Sequence, residues 1–203
     1  PGRGCHDAIE RVFRLARPHT TRPWVLDADI EGAFNNIGHA TLVQAIGNFP
    51  ARELIKQWLK APVISLDDRG VKKTVGGGKA NRKGTPQGGV VSPALANLYM
   101  NRYLKVFRLR GLDRRYGARL VNYADDFVVL CRQGAPEVLA QTRRWLTQMG
   151  LTLNEQKTRV CDGRTEPFTF LGYTFGPLRY RKDGHTYLGA APAKKAVQRV
   201  KGR

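Results

Sequence analysis

Apolar residues recur at helical spacing in several stretches of the chain. The clearest is Cys5–Ala16, where an apolar stripe predicts an amphipathic helix that Pro18 ends. A long helix is predicted from Ser92-Pro93, with Ser92 as its N-cap and Pro93 as its first helical residue. Pro136 opens a further helix that Gly150 ends. Shorter helices are predicted over 39–47, 51–59 and 193–200.

Short apolar runs with strand character separate these helices. One covers 24–30, with Asp29 near its C-terminal end. Two others, 118–122 and 127–131, flank Tyr123-Ala124-Asp125-Asp126, which predicts a hairpin with acidic residues at its tip. Strands mixed with helices and joined in hairpins predict an α+β fold with a mainly antiparallel sheet. The remaining strands are predicted over 63–65, 71–75, 157–161, 168–175 and 187–190.

The charge of the chain is strongly positive and points to a polyanionic partner. Lys and Arg number 35 against 16 Asp and Glu, for a net charge of +19. Such a charge favours nucleic acid through counterion release and electrostatic steering. The apolar runs are too short to span a bilayer, and a membrane surface is not favoured because no basic amphipathic helix stands apart from the rest. Cys5, Cys131 and Cys161 form no C-x-x-C pair, so neither zinc nor a disulfide framework is predicted, and a reducing cytoplasm is the expected compartment.

Three carboxylates occupy the ends of predicted strands. Asp29 closes one strand, and Asp125 and Asp126 lie at the tip of a hairpin. If these elements are neighbours in one sheet, the carboxylates converge and call for cations. Magnesium is the expected counter-charge, since it takes one or two carboxylates and completes its shell with water and phosphate oxygens. On turn chemistry alone, an ordinary hairpin turn explains Asp125 and Asp126 equally well, and Asp29 by itself is more often a solvated strand-end residue than a ligand.

Several blocks carry a resemblance to one family. Tyr123-Ala124-Asp125-Asp126 matches the Y-A-D-D box of reverse transcriptases, and Asp29-Ile30-Glu31-Gly32-Ala33-Phe34 resembles their first metal box. The stretch 84–93, G-T-P-Q-G-G-V-V-S-P, is similar to another block of the family. Residues 150–158 and 170–173 resemble the next two, in the family's order. The first nine residues resemble a block of bacterial group II intron reverse transcriptases.

This resemblance implies a polymerase palm, part of the fingers, and RNA-directed DNA polymerase activity. It implies that Asp29, Asp125 and Asp126 bind two magnesium ions, with the Ile30 carbonyl as a further ligand. The expected reaction is attack of a primer 3′-hydroxyl on the α-phosphate of a deoxynucleotide. Expected partners are an RNA template, a DNA primer, deoxynucleoside triphosphates and intron RNA.

The resemblance also assigns residues around the metals. Gly32 and Ala33 would meet the triphosphate, and Phe34 would lie beneath the sugar, although a core aromatic is the alternative. Lys157 would meet phosphates, or be a solvated lysine. His6 and His39 are expected to be structural. The remaining expected contacts are Gln87 and Gly88 for the nucleotide, Tyr123, Leu171, Gly172 and Tyr173 for the primer, and a basic loop with Lys72, Lys73, Lys79, Arg82 and Lys83 for the template, unless that loop is simply solvated.

The family layout divides the chain into five segments. These are partial fingers over 1–22, palm over 23–60, the fingers hairpin and nucleotide block over 61–91, palm over 92–190, and the start of a thumb or maturase region over 191–203. A piece with these limits is expected to bind primer–template weakly or to be inactive by itself. Asn35 and Gly38 depart from the D-N-I-D-H pattern of group II intron enzymes. A non-enzymatic RNA-binding maturase and a CRISPR-associated reverse transcriptase are the alternatives, and three retained carboxylates favour an enzyme.

Overall fold

The computed structural model describes residues 4–17, 22–86, 88–182, 184 and 186–202. Its helices are α1 (Cys5–Ala16), α2 (His39–Ile46), α3 (Arg52–Lys60), α4 (Ser92–Leu109), α5 (Leu112–Arg115), α6 (Ala135–Gln148) and α7 (Lys194–Lys201), and a 3₁₀ turn covers Ala33–Asn36. Its strands are β1 (Trp24–Ala28), β2 (Pro62–Leu66), β3 (Lys72–Gly77), β4 (Arg119–Tyr123), β5 (Asp126–Cys131), β6 (Arg159–Asp162), β7 (Phe168–Phe170), β8 (Tyr173–Arg179) and β9 (Thr186–Pro192).

A four-stranded sheet in the order β4-β5-β1-β6 forms the centre of the fold. All of its strand pairs are antiparallel, which confirms the predicted sheet type. β5 reads Phe-Val-Val-Leu-Cys after its first residue, and these side chains are buried because both faces of the sheet are covered. The α+β prediction is therefore confirmed.

One face of the central sheet packs against helices. Leu26 and Ala28 of β1 and Phe127 and Val129 of β5 join a core that includes residues of α2, α3, α4 and α6. Tyr103 of α4 is fully buried in this core, and its hydroxyl lies 3.0 Å from Thr142 Oγ1 of α6. None of the helices in the described ranges is both long enough and apolar enough to cross a membrane.

The opposite face is covered by α1 and a second sheet, β7-β8-β9. Val25, Val128 and Leu130 meet Phe168 and Phe175, whose rings stack with their centroids 5.2 Å apart. The prediction of one strand over 168–175 was wrong. Leu171 and Gly172 both adopt positive φ and turn the chain into the hairpin β7–β8. Successive positive φ values are typical of a tight two-residue hairpin turn.

One further sequence prediction was wrong in detail. Ser92 is not the N-cap of α4, because Val91 takes that position and the Ser92 hydroxyl donates to the Pro86 carbonyl at 2.7 Å. The strand predicted over 71–75 is present as β3, which pairs with β2 from Lys72 onward, so Lys72 and Lys73 of the predicted basic loop lie on this exposed strand. Helix α5 was not predicted. The predicted helix stop at Pro18 lies outside the described residues.

Candidate active site

Strand register brings Asp29 and Asp126 together at one end of the central sheet. Ala28 of β1 lies opposite Phe127 of β5, so one step further along this register Asp29 faces Asp126. Side chains alternate along a strand, which directs Asp29 to the same face as Val25, and Asp126 to the same face as Val128. That common face is the one covered by α1 and the second sheet.

Asp125 is added to this pair by a tight turn. Tyr123 of β4 pairs with Asp126 of β5, which leaves Ala124 and Asp125 as a two-residue loop. Ala124 has a φ of 54°, a conformation that two-residue hairpins require and that a small side chain adopts with less strain. The predicted acidic tip is thus divided, with Asp125 in the turn and Asp126 as the first residue of β5. We call Asp29, Asp125 and Asp126 the carboxylate end of the sheet.

The carboxylates interact with one another. The pKa of Asp126 is raised, first by partial desolvation and then by the negative charges of Asp125 and Asp29. The pKa of Asp27, two residues before Asp29 on β1, is raised by burial and, to a smaller extent, by Asp29 and Asp126, while Arg159 lowers it. Proton affinity that increases through neighbouring carboxylates marks a place where a cation would be stabilised.

Nearby side chains also position Asp29. Lys157 Nζ lies 3.4 Å from Asp29 Oδ2, and the Asp29 amide donates to Thr158 Oγ1 at 3.3 Å. The Asp29 carbonyl accepts a hydrogen bond from the Asn154 amide at 2.9 Å. Lys157 therefore neutralises a metal-box carboxylate, a contact that sequence reasoning did not specify. The anchoring by Asn154 and Thr158 was missed, although both belong to a block that the resemblance had singled out.

The donor chemistry of this site suits magnesium. Three carboxylates offer the hard oxygen ligands that this ion prefers. Among the described residues, however, no three His, Cys, Asp or Glu side chains lie close enough together to hold a metal ion as they stand. The two magnesium ions remain a prediction.

The segment after Asp29 is held against the Gly84-Thr85-Pro86 segment. Gly32 adopts a left-handed conformation with a φ of 53° and starts the 3₁₀ turn that contains Ala33 and Phe34. The Phe34 carbonyl accepts a hydrogen bond from the Thr85 amide at 2.9 Å. The Phe34 ring packs, partly buried, against the helical core, so both the sugar-contact role and its core alternative are compatible with its position. Ile30 pairs with Leu153 in an isolated bridge.

A buried histidine connects the same two segments. His39 is 5% exposed, and its Nε2 donates to the Gly84 carbonyl at 2.7 Å. The His39 amide also donates to the Arg82 carbonyl at 3.0 Å. This geometry fits the structural role expected for His39. Because the Gly84 carbonyl can only accept, the Nε2 atom must carry a proton in this arrangement.

The basic residues of the predicted template loop lie beside this connection. Lys83 pairs with Gly38, and its Nζ donates to Asn36 Oδ1 at 3.1 Å. Lys79 is exposed, and its carbonyl accepts a hydrogen bond from the Arg82 guanidinium at 3.3 Å. Gly88 has a φ of 83° and open space where a side chain would start. Gln87 lies outside the described residues.

The predicted primer contacts lie on the same face as the carboxylates. Leu171 has a φ of 48°, which is unusual for a bulky residue and marks the tip of the hairpin β7–β8. Leu171 and Tyr173 pack, partly buried, in the core on that face, as their core alternative expected. The Gly172 carbonyl accepts a hydrogen bond from the Ala193 amide at 2.8 Å, which ties the tip to the start of α7. His6, on α1, lies 3.8 Å from Cys5 Sγ through its Nδ1 atom.

Comparisons with known proteins agree with this arrangement. The family model described as "Reverse transcriptase (RNA-dependent DNA polymerase)" matches residues 1–175. The chain is 38% identical to "Group II intron-encoded protein LtrA" of Lactococcus lactis subsp. cremoris, over 91% of this chain and 39% of that protein. It is 27% identical to "Protein YkfC" of Escherichia coli strain K12, over 97% of this chain and 58% of that protein.

Among solved structures, apo telomerase from Candida tropicalis, truncated from its C-terminal domain, has a similar fold. The TM-score is 0.63 at 16% identity, over 87% of this chain and 39% of that chain. This likeness supports the fold alone. The chain spans about two fifths of the length of LtrA and less than two thirds of YkfC. The predicted family is confirmed by a family match that covers most of the sequence: this chain belongs to the reverse transcriptase family.

Proposed function

We propose that this chain is the catalytic core of an RNA-directed DNA polymerase that extends a primer 3′-hydroxyl on an RNA template. The observation that carries the proposal is the register of β1 and β5, which sets Asp29 opposite Asp126 with Asp125 in the adjoining turn. Two hard-oxygen ligands on neighbouring strands and a third in the adjoining turn suit phosphoryl transfer with divalent ions. A protein that only bound RNA would gain nothing from this repulsive cluster.

In this proposal Asp29, Asp125 and Asp126 hold two magnesium ions, with the Ile30 carbonyl as a further oxygen ligand. When bound, these ions would supply charge neutralisation at the attacking hydroxyl and at the leaving pyrophosphate. The protein contributes position and electrostatics, without a covalent intermediate. Lys157, already 3.4 Å from Asp29 Oδ2, supplies a positive charge beside the phosphates.

Other residues would position the nucleotide and the nucleic acid. The left-handed turn at Gly32 brings the Gly32 and Ala33 amides toward the triphosphate, and Phe34 bounds the sugar. Gln87 and Gly88 belong to the same nucleotide surface. Tyr123 and the hairpin tip 171–173 support the primer end, and Lys79, Arg82 and Lys83 face template phosphates. The division into fingers over 1–22 and 61–91, palm over 23–60 and 92–190, and thumb or maturase from 191 belongs to this proposal as well.

The LtrA relative is described as an intron-encoded protein. By that relationship we propose group II intron RNA as the template and partner of this chain. The free, buried thiols of Cys131 and Cys161 suit a reducing cytoplasm, which we propose as the compartment.

Primer extension on an RNA template with magnesium tests the proposal. The full-length protein is compared with an Asp125→Ala/Asp126→Ala variant. We expect at least about a thousandfold loss of nucleotide incorporation, comparable to about 4 kcal/mol of transition-state stabilisation. Template binding should be retained. Equal extension by both proteins would exclude the polymerase function, and splicing support without extension by either would favour an RNA-binding maturase.

A further inference from the structure

Arginines surround the end of the central sheet that lies opposite the carboxylates. β5 begins at Asp126, and Arg132 directly follows its last residue, which places the two about 20 Å apart along the strand. Arg22 lies just before β1, and Arg119 opens β4. These three strands are antiparallel neighbours, so the three arginines lie together at the end of the sheet away from the carboxylates.

These arginines line a concave surface. A cavity of about 380 Å³ is bounded by Arg22, Arg114, Arg115, Arg119 and Arg132, and Asp113 is the one acidic residue among its described lining. A second cavity of about 240 Å³ shares Arg115 with the first and adds Arg110 and Arg144. A third, of about 280 Å³, shares Arg119 and adds Arg11 and Arg108. We call these nine residues the arginine end.

The arginine end is held in shape by the backbone turn at Tyr116-Gly117. Arg22 Nε donates to the Gly117 carbonyl at 2.8 Å, and the Arg132 amide donates to the Tyr116 carbonyl at 3.0 Å. Gly117 has a φ of 59°, and a Cβ placed there would fall 2.6 Å from side-chain carbons of Arg132. The Arg132 stem therefore packs directly on Gly117. The Arg115 guanidinium lies over the Tyr116 ring at 5.3 Å.

Positive charge at this end is poorly compensated within the described chain. The ion pairs formed among the described residues include none to Arg114, Arg115 or Arg119. The Asp113 carboxylate accepts the Arg114 amide at 2.9 Å, a local backbone contact. Burial lowers the pKa of Arg22, and repulsion from Arg119, Arg132 and Arg11 lowers it further. Like charges crowded in a concave surface focus the field on an anionic ligand.

We propose that the arginine end binds the phosphate backbone of a nucleic-acid segment that is separate from the primer–template held at the carboxylates. Planar guanidinium groups match phosphate oxygens in paired hydrogen bonds. A small anion would meet the arginines of one cavity only, whereas a polynucleotide can follow all three, since neighbouring cavities share lining residues. The carboxylates lie at the opposite end of the same strands, so the two surfaces can be occupied at once. The proposal does not depend on polymerase activity.

Fluorescence anisotropy with blunt duplexes, which offer no primer terminus to extend, tests the proposal on the full-length protein. The test variant is Arg114→Gln/Arg115→Gln/Arg119→Gln, which leaves Arg22 and Arg132 at the structural turn unchanged. At about 0.1 M salt we expect at least about a tenfold loss of affinity. The slope of log affinity against log salt should fall by about two to three, because up to three phosphate contacts are removed.

Two variants serve as controls. The triple Arg179→Gln/Arg181→Gln/Lys182→Gln removes the same charge from exposed residues around the hairpin β8–β9 and should keep affinity within about twofold. The Arg114→Lys/Arg115→Lys/Arg119→Lys variant keeps the charge but loses the paired hydrogen bonds, so its affinity should lie between those of the unmodified protein and the glutamine triple. Unchanged melting temperatures would show that each variant folds. Equal losses in both glutamine triples would indicate a general charge effect and overturn the proposal. An affinity that neither triple lowers would also overturn it.

Two further arms identify the ligand. If the glutamine triple at 114, 115 and 119 loses affinity only for duplex RNA, the site is specific for RNA. If it loses equal affinity for duplex DNA of the same sequence, the site recognises phosphates whatever the sugar. Single-nucleotide incorporation on a short preannealed primer–template should stay within twofold of the unmodified protein. A parallel fall in incorporation would place the arginines on the primer–template path and overturn the proposal. So would loss of binding to an acidic peptide with nucleic-acid binding unchanged.

Discussion

The two ends of the central sheet carry opposite charges on the same three strands. β1 and β5 are flanked by arginines at one end and have carboxylates at the other, and β4 runs from Arg119 to the turn that holds Asp125. Burial raises the pKa of Asp126 and lowers the pKa of Arg22, and like charges within each cluster add to both shifts, so each cluster is repulsive within itself. A rigid sheet can hold like charges together, and a ligand of opposite charge then supplies the missing compensation.

The two ends differ in how closely counter-charges approach. At the carboxylate end Lys157 lies 3.4 Å from Asp29, and Arg159 Nε lies 3.7 Å from Asp27 Oδ2. At the arginine end the nearby Asp113 is engaged with the backbone of its own helix. The carboxylate end is therefore partly balanced and suited to small ions and a reaction. The arginine end is unbalanced and suited to an extended polyanion.

The largest expected effect tests whether Phe34, near the carboxylate end, selects the sugar of the incoming nucleotide. Phe34→Ala removes the ring proposed to bound the sugar, so we expect discrimination against ribonucleotides to fall by about a hundredfold, or about 2.7 kcal/mol. The measurement is kcat/KM for matched ribo- and deoxynucleotides in primer extension. Phe34→Tyr keeps the ring and should keep the discrimination. Unchanged discrimination in the alanine variant would leave Phe34 as a core residue.

A second change tests the packing that holds the arginine end in shape. Gly117→Ala should lower the free energy of unfolding by about 1–3 kcal/mol, because positive φ is strained and the new Cβ meets Arg132. Gly70→Ala is the matched control, with a φ of 76° and no neighbour within 4 Å, so it reports the strain without the crowding. Urea denaturation measures both. Equal losses in the two variants would show that Arg132 does not pack on Gly117.

A third change tests whether the positive charge beside the carboxylates contributes to nucleotide incorporation. Lys157→Gln removes the cation beside Asp29, and we expect about a tenfold fall in kcat/KM for the incoming nucleotide. Stability should change by less than about 0.5 kcal/mol, since the pair is exposed. Lys105→Gln on α4 removes an exposed lysine away from the carboxylates and should change neither quantity. A kcat/KM within twofold of the unmodified protein would assign Lys157 to the solvated surface.

The smallest expected effect tests repulsion among the carboxylates. A raised pKa for Asp126 means that the folded protein binds this proton more tightly than the unfolded chain, so stability falls as pH rises through the titration. Asp126→Asn should therefore stabilise the metal-free protein at pH 7, by about 0.5 kcal/mol after solvent screening. The gain should vanish at a pH low enough to protonate Asp126. Urea denaturation in chelator at the two pH values measures this gain in stability, with Asp68→Asn in an exposed turn as the control. A gain of equal size at both pH values would contradict repulsion among the carboxylates.

The local pattern of apolar and turn residues correctly predicted elements whose boundaries depend on residues close in sequence. Helix α1 was predicted at its observed limits, because its apolar stripe is strongly periodic. The hairpin around Ala124 was predicted because turn residues separate two apolar runs. The turn at Leu171-Gly172 was missed because leucine rarely adopts a positive φ. Here the pairing of β7 with β8 imposes that conformation.

Order and residue type along the chain determined the family and the identity of the candidate residues. Asp29, Asp125 and Asp126 could be chosen from motifs alone, because motif spacing is a property of the chain. What only the tertiary structure decided was which charges become neighbours. Lys157 reaches Asp29 and Arg22 joins Arg119 and Arg132 through strand pairing between residues about 100 or more positions apart. Electrostatic energy depends on distance in space, so a charge total of +19 could indicate a polyanionic partner but not where it binds.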